Sequence, residues 1–571
     1  MLQDWQTPFE IGSGNQTTTW EACIAFHERL AQAFPQYLRF VEIGRSDGGT
    51  PVHLGVLSAD GEFDARRIRA AGRTVFFNNN GIHPGEPEGI DICMALVRDL
   101  CTRPERLAQL GSTVLAYIPV YNVDGSRNRH DTSRVNQLGP EAFGFRGNAR
   151  HLDLNRDFIK ADSRNARLFA KTFTEWDPDV FVDTHTSNGA DYSYAMTLIP
   201  TQPDKLGGTL GAWLRDRMLP ELYADMEHSG WPMCPYVNTA TDIPDDGLLA
   251  FADSPRYSTG YAALHHCIGF MPETHMLKPF ADRYHSLRAF LDAAIAHTTR
   301  HGAEIRACRA RDRAAVAGAV AWPVDWTLDE SRHSSFRFHG YEAVREPSRI
   351  GHYRRLRFDR QQPFVKELPY FEFCRPTRLV APPAAYLVPQ AWDEVAQRLR
   401  LNGVALLPVR EPGTAALEAY RIARVDTSPL PFEGRHLHAQ VELAPEAVEI
   451  QLNAGDWLVP LGQPCDRFIV ETLEPEATDS FFRWGFFDAV LDKKETYSAY
   501  VFEDEAERLL AQEPALREAF ERWKSEHPTL LADEKAVLDF LFLNCRRYAE
   551  PEHRRVPVFR VPAPLASRLS A

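Results

Sequence analysis

The chain has 571 residues, 44% hydrophobic and 25% charged, with a formal net charge of −14. That length predicts two or three domains with apolar residues enough for a large core, and the acidity argues against a general nucleic-acid or anionic-membrane surface. Nine scattered cysteines without any Cys-x-x-Cys pair indicate neither a cysteine-built zinc site nor a dense disulfide framework, and predict mostly buried free thiols.

Met1–Gln16 has neither a basic segment nor an apolar one, and no uncharged apolar run approaches membrane-spanning length. The expectation is a cytoplasmic protein, or a periplasmic or secreted one if a signal has been removed. Apolar Trp20, Ile24, Ala31 and Phe34 predict a helix over 17–34, after a Thr-rich start. Strands are predicted over 52–58, 74–79, 113–120, 180–185, 193–200 and 267–273, and helices over 88–100, 161–175, 206–228 and 283–299. This alternation reads as an α/β sheet covered by helices. The polar, irregular 124–157 segment reads as a functional loop.

The texture changes near residue 301. Residues 302–333 are rich in Ala and Arg and read as a connector. Short aromatic and β-branched runs punctuated by proline fill 334–475, with an α/β interruption at 385–407, and helices follow at 504–526 and 533–545. The predicted organisation is a catalytic α/β unit over 1–305, a connector over 306–333, and an accessory β-rich α+β region over 334–571 with terminal helices. The aromatic cluster Phe481–Phe487 reads as buried core rather than a stacking platform.

Three segments carry chemistry. His83-Pro84-Gly85-Glu86 follows the apolar run Thr74–Phe77 and precedes the helix predicted from Glu88; His185 and Glu273 close two further predicted strands. Loops at strand ends of an open α/β sheet converge on a crevice. A catalytic zinc takes three nitrogen or oxygen ligands and leaves one position for water. Two His and one Glu fill that set, with a second Glu left as a base.

The order His83–Glu86, Asn122-Val123-Asp124-Gly125, Asp153-Leu154-Asn155-Arg156, His185 and Glu273 resembles the zinc carboxypeptidase family (peptidase M14, funnelins) over residues 40–300, and Arg146–Phe158 resembles a bacterial branch of it. The resemblance implies a mixed open sheet with flanking helices and one zinc ion held by His83, Glu86 and His185. It implies Glu273 as general base and then acid, and Asn155 and Arg156 as the grip on a substrate's terminal carboxylate. Asp153 would orient the first zinc histidine, and Arg146 would face the oxyanion, with Arg150 and Arg134 as rivals. The family's substrate-closing tyrosine has no clean match: counting back from Glu273 falls on Phe251, with Tyr257 and Tyr261 nearby, and Tyr257 is favoured. His265, His266 and His275 read as structural, while His130 and His151 stand in the polar loop with nothing to fix them.

The leading functional reading is a metallocarboxypeptidase acting on a peptide or peptide-like substrate with a free carboxylate, without nucleic-acid or membrane partners. Nothing in the sequence sets the oligomeric state. An N-acyl amino acid amidohydrolase of the aspartoacylase and desuccinylase type shares the His-x-x-Glu pair and the Asp-Leu-Asn-Arg run. The Asn122–Gly125 run and the Pro272–His275 context favour the carboxypeptidase. Cleavage of murein-derived γ-glutamyl–diaminopimelate peptides is a variant of that reading. A non-catalytic zinc- or carboxylate-binding protein ranks last, because base and clamp are both present.

Overall fold

The computed structural model describes residues 5–570. Its N-terminal half is built on strands β1 (Leu38–Arg45), β2 (Pro51–Leu57), β3 (Val75–Asn79), β4 (Val114–Ile118), β5 (Val180–Asp183), β6 (His185–Ser187), β7 (Met196–Pro200), β8 (Met233–Pro235), β9 (Leu248–Leu249) and β10 (Ile268–His275). All but β9 join one nine-stranded sheet in the order β1-β2-β4-β3-β5-β10-β7-β8, with β6 also on β10. β4, β3, β5 and β10 run parallel at the centre, β1–β2, β2–β4 and β10–β7 pair antiparallel, and β8 joins β7 in parallel. The sheet is therefore mixed. β3 and β4 are buried at every position, as befits apolar strands covered on both faces.

Flanking helices follow the predicted pattern with informative exceptions. The helix Trp20–Ala33 starts on Thr19, whose hydroxyl accepts from Ala22 N–H at 3.2 Å. Strand β1 had no sequence signal, since its burial does not alternate. The 206–228 stretch is divided by Gly207 and Gly208, both at positive φ, and by a π-helical turn over Leu214–Met218 before the helix Leu219–His228. The predicted 180–185 strand breaks at Thr184, so β5 and β6 pair separately with β10.

The largest difference is the helix Phe280–Val316, which runs through the boundary expected at 305 and into the expected connector. Ala and Arg are strong helix formers, and proline is absent from this span. Ile305, Arg309, Asp312 and Val316 are buried along it. Gly302 lies against the Thr74 side chain, where a Cβ would collide. The rest of the connector holds β11 (Trp322–Leu328).

Beyond it lie β12 (Ser334–Pro347), β13 (Arg354–Phe371), β14 (Cys374–Val380), β15 (Ala385–Val388), β16 (Leu407–Pro408), β17 (Gly413–Thr427), β18 (His438–Leu452), β19 (Trp457–Pro460) and β20 (Phe559–Val561). β11 pairs with β14, and the β12–β13 hairpin adds onto β9. The remaining strands form a six-stranded sheet in the order β16-β19-β15-β20-β17-β18. Helices Ala499–Gln512, Pro514–Glu526 and Glu534–Asn544 pack through Phe502, Leu509, Phe520 and Leu541. The C-terminal region is β-rich with helices near its end.

One apolar core runs through both halves, joining Phe158 and Tyr261 to Phe468, Phe481 and Trp484. Tyr261 Oη donates to Asn402 Oδ1 at 2.6 Å, and Arg398 Nε donates to the Lys160 carbonyl at 3.0 Å. The C-terminal region is thus seated on the loop that follows Asn155 and Arg156. Among the described residues all nine cysteines are free thiols, and no helix is long and apolar enough to cross a membrane.

Candidate metal centre and active site

Three chain segments deliver the site to one end of the sheet. After β3 the chain turns at Gly81, whose φ of 67° suits only glycine without strain. It then presents His83 and Glu86 before entering the helix Glu88–Thr102. His185 opens β6, and its register partner on β10 is Glu273, two residues before that strand ends.

His83, Glu86 and His185 are buried and turn one donor atom each to a common point, all within 4.8 Å of one another. His83 Nδ1 lies 3.3 Å from Glu86 Oε1, and His185 Nδ1 lies 3.0 Å from Glu86 Oε2. The outer ring nitrogens are engaged elsewhere: His83 Nε2 with Asp153 Oδ1 at 2.8 Å and His185 Nε2 with Asp183 Oδ2 at 3.0 Å. If each Nε2 donates, each Nδ1 presents a lone pair inward. His83 Nδ1 is buried with no hydrogen-bond partner. A bare imidazole nitrogen, a second imidazole and a carboxylate, both histidines backed by aspartates, fit a zinc ion.

Charge is concentrated here. Burial pushes Glu86 upward, but Arg134 and His83 hold its carboxyl well below the usual range. Burial likewise opposes the charged form of His185, yet Asp183 and Glu86 hold its imidazole well above its ordinary value, so binding of a metal would displace a proton. Burial, with Glu86 adding repulsion, pushes Glu273 up to about 7 against the pull of His185, Arg134 and Arg146. A carboxyl in that range is suited to proton exchange near neutral pH.

Arg146, Asn155, Arg156, Tyr257 and Glu273 share a cavity of about 350 Å³ with the three donors. Arg146 Nε donates to Asp153 Oδ2 at 2.8 Å. Asn122 Oδ1 caps Gly125 N–H at 2.9 Å, and its amide donates to the Arg146 carbonyl at 2.9 Å, so the Asn122–Gly125 run positions that arginine's backbone. Asn155 Oδ1 accepts from Ser258 N–H at 3.2 Å. The Arg156 guanidinium lies over the Tyr257 ring, 4.4 Å from its centroid. A neighbouring cavity of about 260 Å³ shares Ile199, Tyr236 and Phe251 and continues to Phe336 and Tyr370 of the C-terminal region.

Asp153 sits behind His83 rather than in the cavity, between that imidazole and Arg146. Of Arg146's rivals, Arg134 also lines the cavity, donating to Glu86 Oε1 at 2.5 Å and to the Thr186 carbonyl at 2.7 Å. Arg150 instead reaches the Asp162 carbonyl. Phe251 and Tyr257 both line the cavity, while Tyr261 is buried on Asn402. His275 bonds the Ala190 carbonyl, His265 packs in a tilted ring contact against Tyr261, and His130 and His151 lie outside the cavity lining.

Sequence reasoning passed over three contributors. Asp183 was legible, two residues before His185. Arg134 was named only as a rival for another task. Glu433, whose Oε2 accepts from Asp153 N–H at 2.7 Å, carries no local signal, because it arrives from the loop between β17 and β18.

A buried His-Glu-His set with an adjacent carboxylate, at one end of a mixed sheet, fits the donor set of a metal-dependent hydrolase. Residues 23–194 match the family model described as zinc carboxypeptidase, peptidase M14. Carboxypeptidase 2 of Trichophyton rubrum is 24% identical over 503 residues, spanning 84% of this chain and 85% of that protein. Its counterpart in Trichophyton equinum is 24% identical over 436 residues, spanning 71% and 72%. Among solved structures, a Pseudomonas aeruginosa metallo-carboxypeptidase in complex with (2-guanidinoethylmercapto)succinic acid is 16% identical, covering 49% of this chain and 69% of its own, with a TM-score of 0.36. The family match and the curated relatives indicate a metallopeptidase and support the zinc carboxypeptidase family for this chain. These curated relatives are fungal and lend no support to the bacterial branch expected from Arg146–Phe158.

Proposed function

We propose that the protein is a zinc-dependent metallocarboxypeptidase that removes the C-terminal residue of peptides. The observation that carries this reading is the convergence of metal donors, Glu273, Arg146, Asn155, Arg156 and Tyr257 on one cavity. His83 Nδ1, Glu86 and His185 Nδ1 would hold a single zinc ion, which when bound would supply a Lewis acid and acidify a water towards a pKa of about 7. Arg156 and Asn155 bind the substrate's terminal carboxylate, Arg156 as a planar donor fork braced on Tyr257. That grip places the last peptide bond between Glu273 and Arg146. Glu273 takes the proton of the attacking water and returns it to the leaving amine. Arg146 steadies the charge that develops on the carbonyl oxygen. Ile199, Phe251 and Met271 on the cavity wall favour an apolar terminal side chain.

The test is product analysis by mass spectrometry on zinc-loaded protein. The substrate pool holds peptides with free and amidated C-termini, γ-glutamyl–diaminopimelate peptides and N-acyl amino acids, with Glu273→Gln as control. Loss of single terminal residues from free-carboxylate peptides is expected, with turnover falling by about 10²–10⁴ in the control. Turnover confined to N-acyl amino acids would replace this reading with the deacylase one; turnover confined to γ-glutamyl–diaminopimelate peptides would narrow it to murein peptides.

A further inference from the structure

A second cluster of metal-ligating side chains lies outside the cavity. The helix Phe280–Val316 carries His297 and His301 four residues apart, so both imidazoles leave one face of it. The helix Leu219–His228 packs against it and presents Glu221 and Asp225 at the same spacing. His297 and His301 are 1% and 4% exposed. A single oxygen, Glu221 Oε2, lies 3.2 Å from His297 Nδ1 and 3.3 Å from His301 Nε2. His297 Nε2 is turned onto Asp225 Oδ2 at 2.9 Å, and its Nδ1 is buried with no hydrogen-bond partner.

That wiring repeats His83: one ring nitrogen on an aspartate, the other bare and facing a glutamate and a second imidazole. We propose that His297 Nδ1, His301 Nε2 and Glu221 Oε2 form a second site for a zinc-like divalent ion, with Asp225 as a positioning residue. Two nitrogens and one oxygen suit zinc and its late-transition-metal neighbours. Both histidine–carboxylate separations match edges of a tetrahedron whose metal bonds are about 2.0–2.1 Å, and all three donor atoms lie within 4.8 Å of one another. Arg217 Nε approaches the other carboxylate oxygen, Oε1, at 3.4 Å and leaves Oε2 to the histidines. Glu304 backs His301 from 3.9 Å, and Trp213 Nε1 and Arg217 fix it at 3.0 and 2.8 Å. The half-exposed Glu221 gives the ion a path from solvent and room for water as the remaining ligand. An ion here would fasten one helix to the other, and none of its donors belongs to the site already described.

The test strips the full chain with a chelator, dialyses it against rising free Zn²⁺ and counts bound metal by atomic emission. Wild type is expected to bind two ions per chain. Glu221→Gln and His297→Gln are each expected to bind one, to keep peptide hydrolysis, and to lose a zinc-dependent rise in thermal midpoint. Glu221→Gln alters a half-exposed side chain, so it serves if His297→Gln fails to fold. His185→Gln should retain one ion and lose hydrolysis, and persistent hydrolysis there would sink the catalytic reading alone. A wild-type count of one that is unchanged in Glu221→Gln overturns the proposal, leaving a histidine–carboxylate ion pair. So does a count of two that survives both substitutions.

Discussion

At the scale of single residues, the site is organised by which nitrogen of each histidine faces inward. Asp153 and Asp183 decide this by accepting from Nε2, so neutralising one should weaken the metal without removing a ligand. Asp183→Asn is expected to lower zinc affinity by about 10–100-fold, read by competition with a chromogenic chelator; an unchanged affinity would mean that His185 is held by packing alone. That His83, Glu86, His185 and Glu273 come together was legible because the residue types a metal would need are so few. His83 and Glu86 stand on a turn after an apolar run, and His185 and Glu273 lie at or near the ends of two others. Arg134 was harder to read, since the loop that carries it has no periodicity to say where its side chain goes.

Elements obey a different logic. The helix Arg164–Trp176 ends on Asp177 in a left-handed conformation, φ 42°, three residues before β5 begins at Val180. Its carboxylate accepts from Arg309 at 2.6 Å, and also pairs with Arg313 and Arg69. Burial would raise this carboxyl, but the arginines hold it far below the usual range. A carboxylate whose folded pKa is depressed contributes stability above its unfolded value, and that contribution fades as pH falls towards the folded one. Asp177→Asn tolerates the backbone geometry and is expected to cost about 3–5 kcal/mol at pH 7, measured by urea unfolding. The gap should narrow below about pH 4, where the unfolded aspartate takes up its proton; a constant gap would show that charge is not the cause. The long helix behind this cluster was under-read because its Ala- and Arg-rich half lacks an apolar stripe, and its buried face is made partly of charged side chains such as Arg309 and Asp312.

At the scale of the whole molecule, the two halves share one core, and the C-terminal half reaches the site through Glu433. Its β-rich character was legible from aromatic and β-branched runs broken by proline. Its seat on the catalytic loop was not, because the Asp153–Glu433 contact joins residues 280 apart and no local pattern encodes so long a separation. Glu433→Ala would leave the Asp153 amide without its acceptor at a cost of about 1–3 kcal/mol. We expect slower peptide hydrolysis and weaker zinc retention, with Glu433→Gln close to wild type, and equal activity in both variants would refute a positioning role.

The same contact sets an order in time. Chains emerge from the ribosome N-terminus first and fold by units as they appear. The proposed metal donors and the proposed base are therefore translated long before the acceptor that holds Asp153. A chain released before Glu433 has been added should be a poor peptidase, whatever zinc it carries, and proteolytic competence is expected to arrive late in synthesis. Released truncations that stop short of that position, assayed beside the full chain, would reveal the delay, and full activity in any of them would abolish it.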